Sequence, residues 1–416
     1  MQRLTTVFQN GVARFALVWS VASASSLLAT AGWSQSITWL GVLLPGGRYS
    51  EALGVSADGK VVVGVALNAA RQLRAFRWTA AEGMQDLGTL GGTESLAYGI
   101  SADGRVVVGW ARNAAGRYRA FRWTQATGMQ DLGTLGGPES LAFSTSADGG
   151  VVVGWARNAA GQWRAFRWTE VEGMQNLGTL PGENYSEARG VSADGKVVVG
   201  FSGFPRYRAF RWTAAEGMQE LGASSRLDGW VLAQNVSADG RVVVGSSFLR
   251  RIRAFRWTAS EGLQELGTLG QLQSAAYGVS ADGKVVVGEA YSVEEQRAFR
   301  WTEARGIEDL SITYANLLTD GSLLLLAYAV SPDGRYIVGK GFRVATWRAE
   351  AFLLDTGAPR RDGDVNGDGC VNDLDLLQVL FAFGNTGDNL PEDLNGDQTV
   401  NDLDLLVVLF NFGSGC

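Results

Sequence analysis

Two stretches near the end of the sequence place oxygen-bearing side chains at the spacing of a cation-binding loop. The first, DVNGDGCVNDLD, covers residues 364–375, and the second, DLNGDQTVNDLD, covers residues 393–404. In each loop, positions 1, 3, 5, 9 and 12 are Asp or Asn, and position 7 offers its backbone carbonyl. Hard oxygen ligands in this pattern bind Ca²⁺. The predicted ligands of the two ions are Asp364, Asn366, Asp368, Cys370, Asn372 and Asp375, and Asp393, Asn395, Asp397, Thr399, Asn401 and Asp404.

Each predicted calcium loop runs into an apolar segment, LDLLQVLFAFG or LDLLVVLFNFG, that is expected to be a helix. The alternative is a pair of acidic turns rich in Asp and Asn that bind no metal. Unpaired carboxylates crowded into one small loop repel one another, which favours the calcium interpretation.

The paired loops, the Asp at position 12 and the absence of a helix before each loop resemble a type I dockerin over residues 362–413. The resemblance implies calcium-dependent folding and, in cellulosomal bacteria, docking onto cohesin domains beside polysaccharide-degrading enzymes. Cohesin-recognising dockerins typically carry Ser-Thr at loop positions 10 and 11, whereas this chain has Asp373-Leu374 and Asp402-Leu403. Gln398 also replaces the turn glycine of position 6. The expected partner is therefore a cohesin-like protein or another cell-envelope protein.

The amino-terminal residues predict export. Arg3 and Arg14 precede the largely apolar run FALVWSVASASSLLATA, and Ala29-Thr30-Ala31 offers a cleavage site of small residues. A transmembrane anchor is the alternative, but the run is short and interrupted by Ser and Thr. No other segment is long and apolar enough to span a bilayer. Residues 1–35 are therefore assigned to a signal peptide, and the mature protein is expected to be secreted or at the cell surface.

Composition limits the chemistry that the chain can perform. The 416 residues include no His and two Cys, Cys370 and Cys416. The chain therefore lacks the commonest general base, every Ser-His or Cys-His nucleophile pair and any Cys-rich zinc site. In an exported protein, a disulfide between Cys370 and Cys416 is the natural expectation, with free thiols as the alternative.

Charge marks a domain boundary near residue 361. Residues 362–416 contain eleven acidic residues and no Lys or Arg, whereas the preceding part of the chain is nearly neutral. This distribution argues against nucleic acid as a partner. We expect a large domain at 36–355, a linker at 356–361 and a small dockerin-like domain at 362–416.

The large domain is one motif repeated. SADGKVVVG begins at Ser56 and recurs at Ser101, Ser146, Ser192, Ser237 and Ser280, with a weaker copy at Ser331. RAFRWT and GMQDLGTL recur in step with it. A period near 45 residues with several short apolar runs in each unit is typical of a β-propeller blade.

Counting the strands predicts how the ring closes. The seventh unit, from about Ala327 to Asp355, lacks its own fourth strand, whereas SITWLGVL at residues 36–43 supplies an extra one. We therefore predict a mainly β fold, a seven-bladed propeller closed by the amino-terminal strand, beside the small α-helical calcium-binding domain. An open β-solenoid is the alternative.

The pattern AF-x-W, G-M-x-x-LG and S-x-DG-x-x-VVG resembles the bacterial extracellular repeat family called HAF over about residues 38–354. Arg stands where the family's name-giving His would be, in six copies. The resemblance implies a secreted propeller-like protein without an established catalytic activity.

Residues that are identical in every unit are expected to build the scaffold, so function is expected in the positions that vary. The connections between second and third strands are basic and aromatic, and Arg beside aromatic rings can bind sugars or anionic polymers. The candidate ligand rim comprises Arg112, Arg117, Tyr118, Arg206, Tyr207, Arg250 and Arg251. An ordinary surface, with these Arg paired to acids such as Glu94, Glu139 and Glu183, is the alternative.

Two functions follow from these observations. The leading hypothesis is a secreted, non-catalytic binding or surface protein, in which the propeller presents a ligand face and the calcium module attaches it to a partner. The alternative is a carbohydrate-active enzyme, a glycoside hydrolase or lyase acting in polysaccharide breakdown, which would draw two carboxylates from acids that differ between the blades. The candidate acids are Glu183, Glu187, Asp228, Glu289 and Glu294.

Overall fold

The computed structural model describes residues 35–43, 47–222, 229–248, 250–270, 272–292, 295–357, 363, 365, 371–386, 390, 392–394 and 399–413. The described chain forms two compact units. One spans Ser36–Thr356, and the residues from Gly357 onward belong to the other. Within the described ranges, no helix is long and apolar enough to cross a membrane. The predicted signal peptide lies outside the described residues.

The first unit is a seven-bladed β-propeller of four-stranded antiparallel sheets. Strand β1 is Ser36–Gly41. Blade 1 contains β2 (Ser50–Val55), β3 (Val61–Leu67), β4 (Leu73–Thr79) and β5 (Gly83–Asp86). Blade 2 contains β6 (Gly91–Ile100), β7 (Val107–Asn113), β8 (Tyr118–Thr124) and β9 (Gly128–Asp131). Blade 3 contains β10 (Gly136–Thr145), β11 (Val151–Asn158), β12 (Trp163–Thr169) and β13 (Gly173–Asn176).

The later blades follow the same plan. Blade 4 contains β14 (Ser186–Val191), β15 (Val198–Ser202), β16 (Arg208–Thr213) and β17 (Gly217–Glu220). Blade 5 contains β18 (Trp230–Val236), β19 (Val243–Phe248), β20 (Ile252–Thr258) and β21 (Gly262–Gly267). Blade 6 contains β22 (Ser274–Val279), β23 (Val286–Ser292), β24 (Glu295–Thr302) and β25 (Gly306–Asp309). Blade 7 contains β26 (Leu323–Val330), β27 (Tyr336–Arg343) and β28 (Arg348–Asp355).

The amino-terminal strand completes blade 7, as predicted. Strand β1 pairs antiparallel with β28, with Trp39 opposite Phe352, so the order in this sheet is β1-β28-β27-β26. Blade 1 then packs on blade 7, because Ala52 and Phe76 share a buried cluster with Val338. A closed ring is therefore confirmed and the open solenoid is excluded.

Blade 7 begins at Leu323, slightly upstream of the predicted start, because an insertion precedes it. Helix α1 (Leu310–Thr313) and a 3₁₀ turn (Ala315–Leu317) follow blade 6 and account for the longer last repeat. The Asp309 carboxylate accepts a hydrogen bond from the Ser311 N–H and so caps α1.

The VVVG run, which is YIVG in blade 7, lies in the second strand of each blade, and its glycine is required by strand pairing. In blade 2, Gly109 lies opposite Ala97, where the pairing between β6 and β7 shifts register. A Cβ atom on Gly109 would lie 2.0 Å from the Leu96 carbonyl oxygen. The three valines around it are buried on both faces of the sheet between neighbouring blades, as their unalternating sequence predicts.

The SADG segment is a hydrogen-bonded turn. The Ser101 hydroxyl donates to the Asp103 carboxylate at 2.6 Å and accepts from the Val106 N–H at 2.9 Å. Gly104 has φ of 72°, and a Cβ atom there would lie 2.7 Å from Val61 of the preceding blade. These hydroxyl and amide bonds lower the pKa of the Asp103 carboxylate, and equivalent bonds lower the pKa of Asp194 to about 2.

Repeated residues also join each blade to the next. The Ala102 N–H donates to the Ala147 carbonyl at 2.8 Å, and equivalent bonds link the turns of blades 1 to 7 in series. The series ends at Pro332, which has no N–H to donate to blade 1. Arg167 adds a second link, because its Nε donates to the Gly195 carbonyl of the next blade while its Nη1 lies 3.1 Å from Glu172.

The second unit contains helices α2 (Asp373–Ala382) and α3 (Asp402–Phe410), so each predicted exit helix is present. Its core includes Val371, Val379, Val400 and Val408. The two halves are related by internal symmetry. The Gly384 N–H donates to the Val400 carbonyl at 2.8 Å, and the Gly413 N–H donates to the Val371 carbonyl at 2.7 Å.

Candidate functional site

The innermost strand of each blade presents one side chain that differs from blade to blade. The position lies three residues before the first Ser of each SADG turn. The seven first strands contact one another around the ring, which brings these side chains together. They line a cavity of about 330 Å³. The seven residues are Leu53, Tyr98, Phe143, Arg189, Gln234, Tyr277 and Tyr328.

A second variable position follows the VVVG glycine on the second strand. It pairs across to the residue two positions before the cavity side chain, as Glu187 pairs with Phe201 and Ala275 with Glu289. The seven residues at this position are Val65, Trp110, Trp155, Phe201, Ser246, Glu289 and Lys340. Of these residues the sequence had pointed to Glu289 alone, as a candidate acid, and neither variable position was predicted as a ring of equivalent side chains because the predicted ligand rim was placed in the loops. The signal was present as variation at two fixed places inside an otherwise constant repeat.

Aromatic rings and one guanidinium form the wall of the cavity. Tyr98 packs edge-on against Phe143 with ring centroids 5.0 Å apart, and Tyr277 packs against Tyr328 at 5.6 Å. The Arg189 guanidinium lies 4.1 Å from the centroid of the Phe143 ring. Gln234, Asn235, Ser144 and Thr145 add polar groups. The cavity therefore combines aromatic faces with hydrogen-bonding groups.

Two ion pairs neutralise most of the charge beside the cavity. Lys340 Nζ lies 2.7 Å from Glu51 Oε1 and joins blade 7 to blade 1. In blade 4, Arg189 Nη2 lies 2.5 Å from Glu187 Oε1, and Glu187 Oε2 accepts a hydrogen bond from the Tyr185 hydroxyl. The Arg189–Glu187 contact is an ion pair, and among the described residues Glu187 Oε1 and Arg189 Nε have no hydrogen-bond partner.

A smaller cavity of about 220 Å³ adjoins the first between blades 5 and 6. Gln234 and Tyr277 line both cavities. The Glu289 carboxylate accepts a hydrogen bond from the Tyr277 hydroxyl at 2.6 Å and another from the Gln296 amide. Burial, reinforced by the negative Glu289, raises the pKa of Tyr277, so its hydroxyl stays protonated and donates.

None of the seven predicted rim residues lines either cavity. Tyr118 contacts Trp110 edge-on at 4.9 Å, and Tyr207 contacts Phe201 at 5.1 Å. Each of these rim tyrosines therefore packs on a side chain of the second variable position. Four Arg of the rim are exposed and do not line either cavity, namely Arg117, Arg206, Arg250 and Arg251.

Of the predicted rim arginines, Arg112 is paired with a loop acid, whereas Glu139 and Glu183 contact Arg157 and Arg208, which were not part of the predicted rim. Arg112 Nε lies 2.6 Å from Glu94, and its Nη2 donates to the Tyr118 hydroxyl. Glu139 lies 3.4 Å from Arg157, and Glu183 lies 3.6 Å from Arg208. Asp228 and Glu294, two candidate acids for an enzyme, lie outside the described residues.

In the second unit, the two position-12 carboxylates have matching surroundings. Asp375 accepts the Val365 N–H at 2.8 Å and the Asn372 N–H at 2.9 Å. Asp404 accepts the Leu394 N–H at 2.7 Å and the Asn401 N–H at 2.8 Å. Asn372 and Asn401 cap the exit helices, and both Asp side chains are fully buried. The loops therefore hold each carboxylate in one orientation.

The other predicted calcium ligands are described in part. Asp393 and Thr399 lie within the described chain, and Thr399 forms a bridge with Thr386. Among the described residues, no cluster of three acidic side chains forms a metal site. Several predicted ligands and both cysteines lie outside the described residues, namely Asp364, Asn366, Asp368, Cys370, Asn395, Asp397 and Cys416.

Comparisons with known proteins support the fold. No family model matches the sequence, and no curated protein matches it. Oligogalacturonate lyase from Vibrio parahaemolyticus is 10% identical, with a TM-score of 0.50 over 77% of this chain and 93% of that one. TolB from Acinetobacter baumannii is 13% identical, with a TM-score of 0.43 over 72% of this chain and 81% of its own. The Cps50 (Swd1) propeller domain from Myceliophteria thermophila is 12% identical, with a TM-score of 0.46 over 77% of this chain and 99% of its own. Likeness at this identity shows the propeller fold alone.

Proposed function

We propose that this protein is a secreted, non-catalytic binding protein whose propeller binds a polysaccharide at the inner cavity. One observation carries the proposal. The repeated residues join strands and blades, whereas the residues that differ between blades converge on one cavity. In a repeat fold, a binding site is expected where equivalent positions of the repeats meet and carry different side chains.

The lining favours a carbohydrate over a polyanion. Aromatic faces such as Tyr98 and Phe143 can stack against sugar rings, and the amides of Gln234 and Asn235 can bond to hydroxyl groups. Among the described residues, Arg189 is the one charged residue in the lining of the larger cavity, and it forms an ion pair with Glu187. A strongly anionic polymer would need a cationic surface that this lining does not supply.

In this proposal, the second unit is a calcium-dependent attachment module that resembles a dockerin. Asp375 and Asp404 fit the position-12 ligand of a calcium loop, because each is a carboxylate that backbone N–H groups hold in one orientation at the start of the exit helix. The remaining ligands would be the Asp, Asn and carbonyl groups at positions 1, 3, 5, 7 and 9. Bound calcium would neutralise the clustered acids and so stabilise the loops.

Exposed apolar side chains on the second unit support attachment to a protein partner. Phe381 on α2 is 81% exposed, and its symmetry equivalent Phe410 on α3 is 83% exposed. Leu374 and its symmetry equivalent Leu403 are exposed as well. Contiguous exposed apolar residues commonly mark protein interaction sites. A cohesin-like or cell-envelope protein is the proposed partner, and the HAF resemblance of the propeller agrees with an extracellular setting.

The enzyme alternative receives less support from the cavity. Glycoside hydrolysis by the common mechanism uses two carboxylates about 5–10 Å apart. Among the described residues, neither cavity is lined by two carboxylates. Glu187 is engaged by Arg189 and Tyr185, and Glu289 by Tyr277 and Gln296. Binding without chemistry is therefore the better conclusion.

An array of glycans and cell-wall polymers, with and without calcium, tests the proposal. The mature chain is expected to bind polysaccharide in both conditions, because the cavity is built from propeller residues. Tyr98→Ala should weaken binding by about fivefold, since one stacking contact is worth about 1 kcal/mol. Arg117→Ala, at an exposed rim residue, is the control and should bind like the unaltered protein. Failure to bind any polymer would overturn the proposed function.

A further inference from the structure

Among the described residues, no protein cation balances the charge of one carboxylate in the smaller cavity between blades 5 and 6. Three acids stand at the two variable ring positions or beside them, Glu51, Glu187 and Glu289. Glu51 is paired with Lys340, and Glu187 is paired with Arg189. Among the described residues, the partners of Glu289 are the neutral Tyr277 hydroxyl and Gln296 amide.

The nearby guanidinium groups are engaged elsewhere. Arg297, on the strand paired with Glu289's strand, contacts Glu295 and lies 3.6 Å from Asp309. Arg253 Nη1 donates to the carbonyls of Ile252 and Leu272, the latter at 2.7 Å. Glu289 is therefore a negative charge held at a cavity wall by neutral donors. A cationic ligand group would complete its surroundings.

The rest of the cavity suits a cation that is carried on a small polar ring. Trp230, Tyr277 and Tyr291 line it together with Glu289, and aromatic faces attract cations. Gln234, Gln273 and Ser246 supply amide and hydroxyl groups for neutral hydroxyls of the ligand. The volume of about 220 Å³ is below the range of about 300–1,000 Å³ that drug-sized ligands occupy, so the cavity suits one sugar-sized unit.

We propose that this cavity binds an amino sugar unit with a free ammonium group, which pairs with the Glu289 carboxylate beside Tyr277 and Trp230. The inference rests on the proposed polysaccharide-binding function and names the chemistry of one subsite within it. It makes no use of the second unit or of calcium.

Calorimetric titration of the full mature chain tests the subsite with three probes. These are a glucosamine tetrasaccharide, its fully N-acetylated counterpart and n-butylamine. The unaltered protein should bind the amino form at least tenfold more tightly than the acetylated form, because acetylation removes the positive charge. It should also bind the amino form more tightly than n-butylamine, which lacks the hydroxyl-bearing ring.

Glu289→Gln is the decisive variant, because it removes the charge while keeping the shape of the side chain. It should abolish the preference for the amino form. Glu265→Gln makes the same charge change at an exposed position on the outer strand β21 and should keep the preference. If Glu289→Gln does not fold, the comparison of the probes on the unaltered protein still decides the question.

Three outcomes would overturn the inference. They are equal binding of the amino and acetylated tetrasaccharides, an unchanged preference in folded Glu289→Gln, and n-butylamine binding as tightly as the amino sugar. Any of these with continued polymer binding on the array would leave the proposed function intact. Loss of all polymer binding on that array would instead remove the function on which the subsite depends.

Discussion

At the scale of single residues, glycine determines how closely the inner two strands of each blade approach. Gly109 has an ordinary backbone conformation, but its position opposite Ala97 leaves no room for a side chain. Gly116 is the opposite case, because its φ of 73° favours glycine whereas no atom would lie within 4 Å of an added Cβ. Gly109 is therefore required because a side chain would clash, whereas Gly116 is favoured because of its backbone conformation.

Alanine substitution at these positions should have unequal effects. Gly109→Ala should lower the free energy of unfolding by about 3 kcal/mol or more, because the new Cβ overlaps a backbone carbonyl. Gly116→Ala should cost about 1–2 kcal/mol, the penalty for a left-handed residue. Urea denaturation followed by tryptophan fluorescence measures both values. Equal losses would contradict the assigned role of the strand pairing.

The turn aspartates should make stability depend on acidity. The Ser192 hydroxyl and the Lys196 N–H lower the pKa of Asp194 from 3.8 to about 2 in the folded protein. A lowered pKa stabilises the folded state at pH values above the unfolded pKa, and this contribution is lost as the pH falls through the folded pKa. The free energy of unfolding should therefore decrease as the pH falls from about 4 to about 2. Turns with equivalent hydrogen bonds should add to this decrease.

Asp194→Asn provides the matched comparison for that decline. The amide keeps the size of the side chain but does not titrate, so the variant should lose less stability than the unaltered protein over the same pH interval. Thermal unfolding at closely spaced pH values measures the difference. A variant curve that runs parallel to the unaltered one would show that Asp194 contributes nothing to the acid sensitivity.

At the scale of elements, one strand closes the ring. Strand β1 covers the outer edge of β28, and Leu40 is buried in the cluster that joins blades 7 and 1. Without it, β28 would expose a row of unpaired backbone groups, and such edges promote aggregation.

A chain that begins at Val42, just after β1, should therefore be less stable and more prone to associate than one that begins at Gln35. Loss of Leu40 together with the Trp39 contact should cost about 3–5 kcal/mol. Thermal unfolding and size-exclusion chromatography measure the two effects. A monomeric truncated chain with an unchanged midpoint would contradict the role given to β1.

At the scale of the whole molecule, calcium is expected to act on the second unit, because each unit has its own core. Calorimetry should give two bound ions for the unaltered chain and one for Asp375→Asn, which weakens a position-12 ligand. Asp373→Asn is the control, since it removes the same charge from an exposed position 10 of the same loop and should leave two ions bound. EDTA should shift the unfolding of the second unit and leave that of the propeller unchanged. Two ions bound by Asp375→Asn would contradict the assignment.

Much of the scaffold could be read from the sequence because its causes are local and repeated. The SADG turns, the buried VVVG strands and the missing fourth strand of the last unit predicted seven blades closed by β1, and the strand order confirms this. The paired loops and exit helices were visible for the same reason, since turn geometry and helix capping depend on neighbouring residues. The calcium ions themselves stay a prediction.

Only the tertiary structure decided which of the varying residues form a site. Lys340 and Glu51 lie at opposite ends of the propeller sequence, and they meet at 2.7 Å because the ring closes between blades 7 and 1. The rim arginines were the expected site, but the cavity is lined by variable residues of the inner strands, which the sequence had not singled out. The charge on Glu289 likewise became informative only when its neighbours were known. The repeated residues determine the structure of each single blade. A cavity instead depends on which blades become neighbours and on how closely their inner strands pack.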